Sequence, residues 1–293
     1  MEPIRVAAVR YLNTLPLIEG LESVSGCELE LTAPSRIAGL VRSGDADIGL
    51  VSIVDLASQP GAAETPLIAL PVGMIGCDGP TQTVRLYSQT PPSAVTKLHA
   101  DTDSHTSVLL ARLLLRAVHG ANAETVDFDV RERVARAGAA AAEEWPETLL
   151  MIGDKVITDA PEPERYAHEI DLGEAWHAWT ALPFVYAVWA CRASAWDEGD
   201  ASRRRLQMGA ALLERQRLHN RARLDAIARQ RAPEHRWPID RAIEYIGERL
   251  RYDFDDGARR GAERFFAEAH AAGLLPSSQL RVATGVSPAP TPT

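Results

Sequence analysis

The 293-residue sequence predicts an α/β protein of two lobes with a two-strand hinge and a helical C-terminal region. Three observations predict it. The first half alternates short apolar runs with amphipathic stretches, the pattern of strands and covering helices. After Ser194 the pattern becomes almost wholly helical and rich in Arg and Ala, with no strands of its own. The length exceeds what one compact core usually supports. Helices without strands must pack on an earlier sheet, which implies a discontinuous lobe. Lobe one is expected from residues 1–90 plus 188–285, lobe two from 91–187, and a Pro-rich disordered tail from 286–293.

Each element has its own justification. Ile4 to Val9 reads as a buried strand, and Cys27 to Thr32 alternates as a half-buried one does. Ser35 to Arg42 reads as a short helix between Pro34 and Gly44. Ile48 to Val51 is a further buried strand, and this alternation implies a parallel sheet covered on both faces. Leu67 to Ile75 and Val84 to Tyr87 are strand-like about the turn Cys77-Asp78-Gly79-Pro80. A second set comes next: a strand near Leu98, a helix from about Thr106 to His119, a strand from Val126 to Val130, an Ala-rich helix, and a strand from Leu149 to Gly153. Pro183 precedes the apolar run from Phe184 to Ala190. Crossings between lobes are expected near Tyr87 to Thr90 and near Tyr186 to Trp189, and two such crossings permit closure on a ligand.

Charge and cysteine usage narrow the function. Thirty-one Lys and Arg against 40 Asp and Glu leave a net charge of −9, which disfavours nucleic acid and anionic membrane. The Arg-rich segment from Arg203 to Arg231 interleaves leucines and acidic residues, as a solvated amphipathic helix does. The N-terminus shows no secretory pattern, and no apolar stretch reaches about 20 residues. Three scattered cysteines form no metal spacing and suit a reducing compartment. A cytoplasmic protein with a small-molecule partner, no nucleic acid, no membrane, no metal and no cofactor is the expectation.

Open α/β sheets place ligands at strand ends, and four polar segments lie there. Tyr11-Leu12-Asn13-Thr14 succeeds the first strand, and Asn13 offers both a donor and an acceptor, or else caps a turn. Ser52 ends a buried strand and either faces a cleft or caps the next helix. Thr81 and Thr83 come shortly after Gly79. Ser104-His105-Thr106-Ser107 opens a helix, where free N–H groups and hydroxyls suit a carboxylate, or cap the helix. No GxGxxG after the first strand, P-loop, HExxH or GxSxG motif is present.

Several stretches in order resemble one family, the chorismate dehydratases of menaquinone biosynthesis by the futalosine route. They are Arg10 to Leu17, Ala46 to Ser52, Ile75 to Pro80, Ser104 to Ser107, Ile152-Gly153-Asp154, and most specifically Asp171 to Val185 with Trp176, His177 and Trp179. The resemblance covers about residues 4–192. It implies a type II periplasmic-binding-protein-like fold and dehydration of chorismate to 3-[(1-carboxyvinyl)oxy]benzoate, a lyase reaction. A non-catalytic binding protein for small carboxylates on the same fold is the alternative. Strand-end placement and resemblance together nominate Asn13 and Thr83 for catalysis. They nominate Tyr11, Ser35, Ser52, Gly79, Ser104, Thr106, Ser107 and Asp154 for substrate binding. Three positions depart from the family pattern: Thr83 and Cys77 stand where Ser is usual, and His105 where Arg is common. The motifs offer no convincing His or Lys as base, so the substrate's own enolpyruvyl carboxylate is expected to take the proton.

Overall fold

The computed structural model describes residues 2–57, 65–100, 105–128 and 145–286. Two sheets organise it. The first contains β1 (Ile4–Ala8), β2 (Cys27–Leu31), β3 (Ile48–Ser52), β4 (Leu67–Cys77), β10 (Phe184–Arg192) and β11 (Leu250–Arg251), in the order β11-β4-β10-β3-β1-β2. The second contains β5 (Val84–Ser88), β6 (Lys97–Ala100), β7 (Glu124–Asp127), β8 (Thr148–Ile152) and β9 (His168–Asp171), in the order β7-β6-β8-β5-β9. The α/β class and the two lobes are as expected.

Three details differ from the sequence reading. Neither sheet is purely parallel. β1 pairs parallel with β2 and β3, but β10 runs antiparallel to both β3 and β4. β5 likewise runs antiparallel to β8 and β9. An apolar run shows that a strand is buried and is silent on its direction. Second, β5 lies wholly in the second sheet and β10 wholly in the first. The chain therefore changes sheets at residues 78–83 and again between Asp171 and Phe184, not near 87–90 and 186–189. Third, the C-terminal region is not strandless. Leu250–Arg251 pairs with Cys77 and Gly76 of β4, and Val282 forms a bridge to Ala69.

The long helix Asp200–Arg221 packs on the first sheet and supplies Leu206, Ala210 and Leu213 to a core shared with Val6, Ile48, Leu70 and Trp189. Gly209 lets it approach: a Cβ there would sit 2.9 Å from side-chain carbons of Ile4 and Ile48. Buried Arg217 pairs with buried Glu214 at 2.6 Å and with half-exposed Asp253 at 2.7 Å, and Arg203 and Arg205 donate to the Trp196 carbonyl and to Asp47, so these arginines serve the fold. The expected Ala-rich helix and the tail beyond Val286 lie outside the described residues.

Candidate active site

The second sheet crossing is built around one carboxylate. Asp171 ends β9 and caps the helix Leu172–Thr180, accepting from the N–H groups of Gly173 and Glu174. The same buried carboxylate accepts from the N–H groups of Thr81 (3.0 Å) and Gln82 (2.7 Å) on the first crossing. Asp171 thus ties the two crossings to each other, and holds Gln82 at a φ of 67°, a conformation costly for a residue with a Cβ. Gly173 makes the approach possible, because a Cβ there would lie 2.5 Å from Cys77 Sγ and 2.6 Å from the Gly79 carbonyl. The Trp-rich segment is core: Trp176 is fully buried among Trp179, Phe184 and Phe265, and its indole donates to the Pro183 carbonyl.

The first crossing flanks a cleft with about 850 Å³ of empty space, counting the part open to solvent. Its lining combines Val9, Leu50, Ile75 and Val84 with polar groups from both lobes. Asn13 arrives on a 3-10 turn shortly after β1, between the buried anchors Leu12 and Thr14. Its Oδ1 accepts from Thr14 Oγ1 at 3.1 Å. Thr83, buried just before β5, shares a 2.6 Å hydrogen bond with the Tyr245 hydroxyl. The Asn13 side chain lies beside that same hydroxyl. Burial raises the Tyr245 phenol pKa, opposed by the neighbouring Thr83 and Asn13 and reinforced by the Asp154 charge.

Tyr11, Asn13, Ser52, Thr83, Ser107 and Asp154 all line this cleft. Other expected ligands do not. Ser35 is exposed on the first turn of helix Pro34–Ser43, and it is Pro34 that reaches the cleft. Gly79 is a buried turn residue at φ 116°, serving the crossing. The Thr106 hydroxyl donates to the Tyr186 carbonyl at 3.1 Å, so it braces helix His105–His119 against β10 and is not offered to a ligand. Ser104 lies outside the described residues. His105 turns away to Asp55 Oδ1 at 3.1 Å. Asp154 is at the cleft but committed: Trp237 Nε1 donates to Oδ1 at 2.9 Å, and His235 Nδ1 lies 3.0 Å from Oδ2.

The structure adds residues that the sequence reading missed. Lys155 is buried and lines the cleft, outside the motifs in which the sequence reading sought a base. It is the next residue after Ile152-Gly153-Asp154, where a cation beside a nominated motif was a usable signal. Tyr186, Tyr245 and Thr81 also line the cleft. Tyr186 sits beside Cys77, whose burial, with Asp171 adding to it, pushes the thiol up to about 12. Cys77 is therefore an inert core thiol. Tyr245 comes from the helical C-terminal region, where no motif marks it.

Two lobes, two chain crossings and a ligand-sized cleft between sheets define a periplasmic-binding-protein-like fold. A Candida albicans protein described as having the generic periplasmic binding protein fold is similar with a TM-score of 0.60 at 12% identity, covering 95% of this chain and 92% of that one. The periplasmic aliphatic sulphonate binding protein of Escherichia coli gives 0.58 at 14% identity, covering 95% of each chain. A protein of Archaeoglobus fulgidus gives 0.67 at 16% identity, covering 93% of this chain and 98% of that one. The chain belongs to the menaquinone biosynthesis family, whose model matches residues 4–271. A chorismate dehydratase of Thermus thermophilus is 29% identical over 206 residues, 66% of this chain and 71% of the relative. Among the described residues no helix is long and apolar enough to cross a membrane.

Proposed function

We propose that the protein is a chorismate dehydratase, a lyase that forms 3-[(1-carboxyvinyl)oxy]benzoate in the cytoplasm, in the futalosine route to menaquinone. The observation that carries the reading is the cleft lining: Thr83 and Tyr245 share a hydrogen bond beside Asn13, with Lys155 and Ser107 also lining the cleft. Chorismate is a dianion whose ring carboxylate and enolpyruvyl carboxylate need separate partners. Lys155, with Ser107, is the group suited to hold the ring carboxylate. Loss of the ring C3 proton sends electron density through the C2 alkene into that carboxylate, so a fixed cation there stabilises the developing charge. The C4 hydroxyl then leaves with its bonding pair, and the ring becomes aromatic. The proton and the hydroxide leave as water.

The enolpyruvyl carboxylate is the base in this reading. It is tethered next to the C3 proton, and enforced proximity replaces a protein base if the enzyme fixes the tether's rotamer. Asn13 and Thr83 do that fixing, with Thr83 donating to the enolpyruvyl carboxylate or to the leaving hydroxyl. Asp154 is unsuited to act as a base in its place, because both its oxygens already face donors. The test is purified protein with chorismate, watching for the aromatic enolpyruvyl ether by absorbance and mass. Asn13→Ala is expected to lower kcat by about 100-fold, the scale of a lost positioning contact. Binding of chorismate without turnover would instead identify a small-carboxylate binding protein.

A further inference from the structure

We propose that Tyr245 is a positioning residue for this elimination: its hydroxyl fixes the Thr83 hydroxyl at the cleft wall. The inference rests on the dehydratase reading and deepens it. A phenol has one proton and can accept as well. Tyr245 Oη and Thr83 Oγ1 lie 2.6 Å apart, and either hydroxyl can donate to the other. An anionic ligand in the cleft selects the polarity in which Tyr245 donates and Thr83 keeps its own proton for the ligand. Thr83 must donate if it is to hold a carboxylate or a departing hydroxyl. The reverse polarity would present a lone pair to an anion.

The network is held from across the cleft. Tyr245 begins a π-helical turn, Tyr245–Arg249, a geometry that interrupts the helix before it and re-aims its side chains. Its ring stacks on Trp237 with centroids 4.9 Å apart and planes 17° apart. Trp237 in turn donates to Asp154 of the other lobe, and His235 closes on the second oxygen. All of Tyr245, Trp237, Thr83 and Asp154 are buried. Asp154 is therefore a support for the Tyr245 ring, in place of the substrate contact expected of it.

The test is a mutant cycle on the full chain with chorismate. Tyr245→Phe keeps the ring and its stacking and removes only the hydroxyl. It is expected to lower kcat by about 10- to 100-fold while KM changes by less than about threefold, the coupling typical of residues in one network. In a Thr83→Ser background, which retains the hydroxyl, the Tyr245→Phe penalty is expected to stay at full size. In a Thr83→Ala background it is expected to shrink to less than about threefold. Circular dichroism melts confirm that each variant is folded. An equal penalty in all three backgrounds would show that Tyr245 acts only through the fold and would overturn the proposal. Wild-type protein that turns chorismate over while Tyr245→Phe matches it would overturn the proposal alone. Wild-type protein with no turnover would overturn the dehydratase reading and this assignment with it.

Discussion

Asp154 and Lys155 are neighbours in sequence and have opposite tasks. Asp154 spends its charge on Trp237 and His235, while Lys155 is buried at the ligand's side of the wall. Lys155→Met is expected to raise the KM for chorismate by about 10- to 100-fold, the scale of a charged hydrogen bond. Lys155→Arg is expected to recover part of that loss, because it restores the charge with a different reach. Steady-state kinetics read both, and a Lys155→Met enzyme with unchanged KM would remove the clamp. Asn13, Ser52 and Thr83 are legible in the sequence because each lies where an apolar run ends or resumes. Ser35 and Thr106 are misread for a shared reason. A polar residue at a helix start looks the same whether its side chain meets a ligand, solvent or the backbone.

At the scale of elements, the most family-specific stretch is structural. Asp171 collects four backbone N–H groups from two segments about 90 residues apart, and Trp176 fills the core behind it. Asp171→Ala would leave those buried donors unpaired, which is expected to destabilise the protein by about 3 kcal/mol in urea unfolding. Gly173→Ala is expected to cost about 1–3 kcal/mol by overpacking against Cys77 and the Gly79 carbonyl. A wild-type urea midpoint for either variant would show that the crossing relaxes without penalty. The strands were readable because their apolar runs are short and bounded. Strand direction and the point of sheet exchange were not. Both depend on pairing between segments far apart in sequence, as when β10 inserts between β3 and β4.

For the whole molecule, the question is how the lobes are held together around the cleft. Besides the Asp154 cluster, helix His105–His119 contacts the first lobe through His105 to Asp55 at 3.1 Å and Arg116 to the Ala272 carbonyl at 2.6 Å. Neither contact lines the cleft, so each can bias closure without touching the chemistry. The Asp55 hydrogen bond raises the His105 pKa, opposed by burial and by the Arg42 charge. A raised folded pKa means that this pair stabilises the closed form fully below the unfolded His value, near 6.5, and loses its effect as pH rises through the folded value. His105 is half exposed, which keeps the effect small. A ligand that binds only the closed form has its apparent affinity reduced by the fraction that is open. The dissociation constant for chorismate is therefore expected to weaken by about twofold between pH 6 and pH 8, the scale of an exposed ion pair. In His105→Ala that pH dependence should vanish, with kcat at saturation unchanged, because nothing at the reacting centre has moved. Calorimetric titration at four or five pH values reads the slope. An identical slope in wild type and His105→Ala would assign the pH dependence to another group and leave this contact without a role in closure.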